Sequence, residues 1–161
     1  MTYEDQGPHL PSGKDGMVKD KLTKARRSWN MSRIRGKNTG PEMVVRSLLH
    51  RMGYRFRLHV AGLPGRPDIV LPKHRTVVLV HGCFWHRHKG CKNCTTPTNN
   101  REFWVAKFEG NEARDRVKMR ALRKLGWRVV VIWECETERV EGLGKRIVKV
   151  LSGKRGARSR A

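Results

Sequence analysis

Residues 66–81 read Arg-Pro-Asp-Ile-Val-Leu-Pro-Lys-His-Arg-Thr-Val-Val-Leu-Val-His, two apolar runs separated by a proline-led polar tetrad. Short β-branched and apolar runs between turn residues are the pattern of buried strands. Asp68–Leu71 and Thr76–Val80 are therefore expected to pair as a hairpin, with 72–75 as the connection. Upstream, Pro41 opens a helical pattern capped by Thr39 or Gly40, with Val44, Val45, Leu48, Leu49 and Met52 on one face and Gly53 as the stop. Tyr54, Phe56, Leu58 and Val60 alternate with Arg55, Arg57 and His59, which predicts a half-buried strand. Downstream, 81–101 lack any apolar period. Residues 102–125 predict a helix whose face carries Phe103, Phe108, Val117, Ala121, Leu122 and Leu125. Residues 127–133 (Trp-Arg-Val-Val-Val-Ile-Trp) predict a buried strand with both tryptophans in the core. Leu143, Ile147, Val148 and Leu151 mark a last helix. The order α-β-β-β-α-β-α gives an α/β fold, a mixed central sheet flanked by helices.

Around this frame the charge is uneven. The 161 residues carry 36 Lys+Arg against 14 Asp+Glu, a net charge of +22. Such a surplus points to a polyanionic partner, most simply nucleic acid, rather than a small metabolite. Residues 17–39 hold eight basic residues and a single acid, Asp20; residues 145–161 hold seven basic residues and no acid. Basic arms of this kind neutralise phosphates and release counterions without reading sequence. The chain divides into a flexible basic N-terminal arm (1–23), a catalytic-size domain (24–151) and a basic C-terminal tail (152–161). No apolar run approaches the ~18 residues of a membrane span, and 1–16 lack the apolar stretch of a secretory signal. No membrane partner is expected, and a cytoplasmic, nucleoid-associated monomer is.

Residues 81–94 read His-Gly-Cys-Phe-Trp-His-Arg-His-Lys-Gly-Cys-Lys-Asn-Cys, and Cys135 comes after the strand at 127–133. Thiolates and imidazoles in this density are what tetrahedral zinc requires, and a structural zinc would pin a long loop that has no core of its own. Cys91 and Cys94 compete for one position and His86 and His88 for another. Two carboxylates stand out besides. Glu42 sits in the first helical turn, where it also complements the helix dipole. Asp68 opens a strand directly after a Gly-Arg-Pro bend. A pair of this kind aimed into one cleft can hold Mg²⁺, which takes oxygen ligands and stabilises charge on a phosphodiester.

The runs Met31–Thr39, Leu63–Val70 (Leu-Pro-Gly-Arg-Pro-Asp-Ile-Val), His81–His88, Phe103-Trp104, Gly126–Val129 and Trp133-Glu134-Cys135 together resemble the very short patch repair (Vsr) endonuclease family. The resemblance spans roughly residues 24–138. It implies a restriction-endonuclease-like fold with a zinc-stapled loop and a Mg²⁺-dependent nick 5′ to the thymine of a T·G mismatch, the lesion left when 5-methylcytosine deaminates. The substrate it implies is double-stranded DNA; the residues themselves leave open a nicking or restriction endonuclease of the same fold on matched DNA, or a zinc-stapled DNA-binding module without catalysis. A cytosine-5 methyltransferase and mismatch-repair proteins are the partners it suggests. By the same resemblance, Asp68 is the metal-binding aspartate and Val80 supplies a backbone carbonyl to that metal. His86 is the general base, His81 a second active-site histidine and Glu42 the helix glutamate. Cys83, His88, Cys91 and Cys135 are the zinc ligands. Phe84, Trp85 and Trp104 are the rings that wedge into DNA, a role that fits the few kcal/mol per step lost on unstacking. Arg33 and Lys37 stand among the arm residues suited to phosphates. Two features depart from the family's pattern: one extra residue between His88 and the next cysteine, and the additional thiol of Cys94. Phe103 is expected in the core beside Trp104.

Overall fold

A computed structural model describes residues 36–153 continuously, with Thr23, Ala25, Arg26, Trp29, Ser32 and Arg33 before them. Most of the 1–23 arm and of the 152–161 tail lies outside the described residues. The elements are α1 (Gly40–Arg51), β1 (Arg57–Leu58), β2 (Ile69–Leu71), β3 (Thr76–His81), α2 (Arg101–Lys124), β4 (Arg128–Trp133) and α3 (Val140–Ser152). Single 3-10 turns at Pro72–His74 and Glu134–Glu138 join β2 to β3 and succeed β4. The sheet runs β1-β2-β3-β4; β1 and β2 pair antiparallel, as do β2 and β3, while β3 and β4 pair parallel.

Side-chain alternation puts a core on each face of the sheet. Ile69, Leu71, Val78 and Ile132 pack with Val45, Leu48 and Leu49 of α1 and Leu143 and Ile147 of α3. Val70 and Val77 face the other way and pack with Leu122 of α2. Each such side chain stabilises the fold by about 1.5–3 kcal/mol on burial, so helices must cover both faces. The hairpin 68–80 forms as expected, its corner closed by Arg75 in the left-handed region (φ 50). α1 begins at a capping box: the Glu42 N–H donates to Thr39 Oγ1 (3.4 Å), and the Thr39 N–H donates back to Glu42 Oε1 (3.4 Å).

Four expectations fail. The strand proposed for 54–60 shrinks to Arg57–Leu58, because His59 takes a positive φ of 45 that a β ladder does not allow. Tyr54 and Phe56 therefore pack on the α1 side, whereas Val60 crosses to the α2 side. On α2, Phe103, Val117 and Leu125 are exposed; the buried residues are Phe108, Asp115 and Leu122, spaced by seven. Val148 of α3 is exposed as well. Trp133 is only half-buried, since it ends β4 at the edge of the Cys/His loop rather than in either core.

Parallel pairing of β3 and β4 brings the segments beyond them together. Register sets His81 opposite Trp133, so both strands end at the same height. The loop leaving His81 and the turn leaving Trp133 are thereby neighbours, and the carboxyl ends of adjacent parallel strands form the natural crevice of an open α/β sheet. No helix among the described residues is long and apolar enough to cross a membrane.

Candidate functional site

Two groups of metal-competent side chains lie at that strand end. In the first, one donor atom from each of Cys83, His88, Cys91 and Cys135 falls within 4.8 Å of all the others. His88 Nδ1 is 3.6 Å from Cys83 Sγ and 3.4 Å from Cys135 Sγ. Tetrahedral zinc with Zn–S near 2.3 Å and Zn–N near 2.0 Å requires S···N separations of roughly 3.5 Å, so the donors fit the ion. Burial, more than any other cause, pushes the Cys83 thiol up to about 12; a buried sulfur of this kind becomes a thiolate only against a cation. The Cys3His set is consistent with a zinc site. Cys94 stands outside it and donates its N–H to the Cys91 carbonyl (2.9 Å). His88 is held flat against Trp133, ring centroids 4.2 Å apart and 3° from parallel. That stack accounts for Trp133, which the apolar run had placed in the core.

The second group is His81, His86 and Asp115, also within 4.8 Å of one another. His86 Nδ1 lies 2.5 Å from Asp115 Oδ2, and the His86 ring stacks on His81 at 3.9 Å. Burial raises the Asp115 carboxyl, but the hydrogen bond from His86, together with the charges of His86, His81 and Lys118, outweighs it and the net shift is downward. An ionised Asp115 puts the proton on His86 Nδ1 and leaves Nε2 with a free lone pair. His81 is lowered to about 4, chiefly by burial and then by the neighbouring His86, so it is neutral at working pH. Sequence reasoning missed Asp115. A signal existed: an acid on the stripe Phe108–Asp115–Leu122, the one face of α2 that the fold buries.

Asp68 enters the same cleft, a cavity of about 1090 Å³ whose lining includes Glu42, Val80, His81, His86, Phe84, Trp85, Trp104 and Lys37. Its position is set by the bend before it. Gly65 has φ 74, and a Cβ there would meet Lys118 Cδ at 2.7 Å, so the turn needs glycine on both counts. Asp68 Oδ2 accepts the Val80 N–H (2.8 Å) across the hairpin. Burial raises the Asp68 carboxyl; the Val80 N–H opposes this and the charge of Glu42 adds to it. Glu42, 3% exposed, has its oxygens taken by Arg46 Nη2 (2.5 Å), the Asn38 N–H (3.1 Å) and Thr39 Oγ1 (3.0 Å). Arg46 in turn reaches Asn38 Oδ1 and His59 Nε2.

The aromatic residues form one cluster on the cleft wall. Phe84 meets Trp85, Trp104 and Phe108 edge-on at 5.0, 5.5 and 5.1 Å. Phe84, Trp85 and Trp104 are half-buried, so the loop's apolar residues are partly accounted for by packing on Phe108. Asn111 Nδ2 donates to the Trp85 carbonyl (3.0 Å) and fixes the loop to α2. Cys83 N–H is held by Glu134 Oε2 (3.1 Å). Lys37 lines the cleft; Arg33 is not among its lining residues and stacks at 4.1 Å on Trp29.

Comparison with known proteins identifies the family. The family described as DNA mismatch endonuclease Vsr matches residues 19–93. The chain is 50% identical over 132 residues to the type II nicking enzyme V.XorIIP of Xanthomonas oryzae pv. oryzae, covering 82% of this chain and 96% of that protein. It is 46% identical over 112 residues to the DNA mismatch endonuclease Vsr of Escherichia coli K12 (70% of this chain, 71% of that protein). It is 43% identical over 117 residues to the type II nicking enzyme V.NmeAIP of Neisseria meningitidis serogroup A (73% and 83%). The chain belongs to the Vsr family of DNA endonucleases.

Proposed function

We propose that this endonuclease nicks one DNA strand 5′ to the thymine of a T·G mismatch, with Mg²⁺ held by Asp68 and His86 as the general base. The observation that carries the reading is the shared cleft: a half-buried carboxylate, a carboxylate-pinned histidine and a wall of aromatic rings open into one cavity.

The donor set at Asp68 suits a hard divalent cation. Its carboxyl is raised by burial and by the charge of Glu42, and a cation beside it would offset both effects. One oxygen is engaged by the Val80 N–H and the other is left for the metal, with the Val80 carbonyl as a second donor. Glu42 shapes the charge around the site rather than coordinating, because Arg46 and the α1 cap engage its oxygens. When bound, Mg²⁺ supplies positive charge to the scissile phosphate as negative charge builds there. His86 accepts a proton from the attacking water at Nε2, and Asp115 balances the imidazolium so formed. His81, neutral and stacked, holds the His86 ring in plane. The Phe84–Trp85–Trp104 cluster replaces the base stacking that is lost where the pair opens. Cys83, His88, Cys91 and Cys135 would hold a zinc ion, which would fix the loop that carries His86, Phe84 and Trp85. A mismatch of this type arises from deamination of 5-methylcytosine, which makes a cytosine-5 methyltransferase the source of the base that deaminates.

A second reading has its own support. V.XorIIP, 50% identical over 132 residues, is named a type II nicking enzyme, a name that specifies no mismatch, and the alternative activity is a nick within matched DNA. Duplexes labelled on each strand, carrying T·G, each other mismatch or full pairing, separate the two in Mg²⁺. The proposal expects cutting of the T strand only, in the T·G duplex; equal cutting of matched duplex favours the second reading, and no cutting of any duplex overturns both.

A further inference from the structure

We propose that Phe103 is a DNA-contacting residue of the cleft, its exposed ring packing against a nucleobase of the bound duplex beyond the Phe84–Trp85–Trp104 cluster. The inference rests on the nuclease reading of that cleft and adds a residue to it.

Phe103 is 59% exposed although it lies on the lining of the large cavity. It touches one other ring, Trp104, at 5.5 Å and 77°. The remaining rings behave differently: Trp104 also packs on Phe108 at 5.8 Å, and Phe84 touches three neighbours. Phe103 is thus the member of the cluster whose faces the protein leaves open. It also lies at the first turn of α2, where a polar residue would serve the helix equally well. Left in water, a phenyl ring gives up the stabilisation that burial would bring, so an open ring in a cleft implies an occupant. The charge of the cleft identifies it. Lys37, Arg66, Lys107, Arg114 and Lys118 line the same cavity with four carboxylates, of which Glu42 is engaged by Arg46, Asp115 by His86 and Glu134 by the Cys83 N–H, and Lys107 lies one helical turn from Phe103. A cavity that joins open π-faces to clustered cations matches single nucleobases presented on a phosphate backbone. Sequence periodicity hides this role, because Phe103 falls on the apparent apolar stripe of α2 while the helix turns a different stripe, Phe108–Asp115–Leu122, to the core.

The test compares native protein with Phe103→Ala, Phe103→Leu and Phe103→Trp by fluorescence anisotropy on T·G and matched duplexes without Mg²⁺, together with thermal melting of each variant. Loss of one aromatic–base stack weakens binding by about 5- to 100-fold; for a ring anchored on one side only, roughly tenfold is expected for Phe103→Ala. Phe103→Trp should bind like native protein and Phe103→Leu should fall between. Melting should stay within about 2 °C for all three, since the ring is exposed. Native affinity of Phe103→Ala for every duplex overturns the proposal, as does a loss explained by unfolding, with Phe103→Leu and Phe103→Ala melting well below native. If nicking in Mg²⁺ does not favour the T·G duplex, the mismatch reading fails, while the Phe103 effect is still read on whichever duplex binds. If Phe103 instead covers a second copy of the chain, sedimentation of native protein shows a dimer, Phe103→Ala a monomer, and DNA affinity is unchanged; that outcome also overturns the proposal.

Discussion

Replacing Asp115 with asparagine isolates what the carboxylate does for His86. The two shapes match, so packing on the Phe108–Leu122 stripe is kept and only charge and hydrogen-bond character change. The contact is 2.5 Å, between side chains 27% (His86) and 11% (Asp115) exposed. At that burial a charge-assisted hydrogen bond falls in the range of about 1.5–3 kcal/mol. If it is fully expressed when the imidazolium forms, its loss slows the reaction roughly 10- to 150-fold. A second effect adds to this. The amide can present its NH₂ to Nδ1, which moves the ring proton to Nε2 and removes the lone pair that accepts the water's proton. In a serine protease whose buried aspartate orients the histidine base in the same manner, the Asp-to-Asn change costs about 10⁴ in kcat. Asp115→Asn is therefore expected to slow single-turnover nicking of a T·G duplex by about 10²- to 10⁴-fold, with DNA affinity within about threefold of native. The assay is pre-bound enzyme and duplex started with Mg²⁺, so binding and product release do not enter. Nicking by Asp115→Asn within threefold of native, alongside a His86→Ala variant that is inactive, refutes the assignment of Asp115 as the orienting acid.

The same geometry sets other outcomes. Because the folded Asp68 carboxyl lies above its ordinary value of 3.8, the native state holds that proton more tightly than the unfolded chain, and stability is lost as pH rises through the folded value. Asp68→Asn should therefore melt higher than native protein at pH 7 without Mg²⁺, by a degree or more, while losing all nicking; a lower melting point contradicts the burial argument. For Asp115 the sign is opposite: its folded carboxyl lies below 3.8, so its contribution is complete above that range and lost as pH falls through the folded value. Urea titrations from pH 7 to pH 3 should show the gap between native and Asp115→Asn closing on acidification, and a gap independent of pH argues against an ionised Asp115. Cys83→Ala should lower zinc content and drop the melting temperature by about 10 °C, as expected from ~3 kcal/mol in a domain of this size; a zinc-free Cys83→Ala variant that folds and nicks normally contradicts a stapling role. DNA affinity should fall about a thousandfold between 50 and 200 mM salt if some six phosphates are contacted, and a flat binding constant contradicts electrostatic anchoring.

What could be read in advance was whatever the chain encodes locally. The hairpin 68–80 announces itself because consecutive apolar residues must be covered on both faces, and the helix from Gly40 because Thr39 and Glu42 carry their own cap. The Cys/His cluster is legible for the same reason: three of its four donors fall within nine residues, and the fourth lies two residues past the end of the strand that pairs with β3. What periodicity misjudged depends on long-range partners. Phe103 and Asp115 exchanged places in expectation, the aromatic ring read as core and the acid left unremarked, because a 24-residue helix offers several apolar stripes and only the sheet beneath selects one. The choice of Phe108–Asp115–Leu122 is itself informative. A helix that must bury an acid finds a compensating partner or unfolds locally, and His86, carried on a loop that zinc can pin, is the partner within reach. The burial that stabilises α2 against the sheet thus also presses Asp115 against the imidazole. In the proposed mechanism packing and proton transfer share that helix face, which is why a polar residue at the middle of an apolar stripe, judged together with a nearby histidine-rich loop, points to a candidate site more sharply than either feature alone.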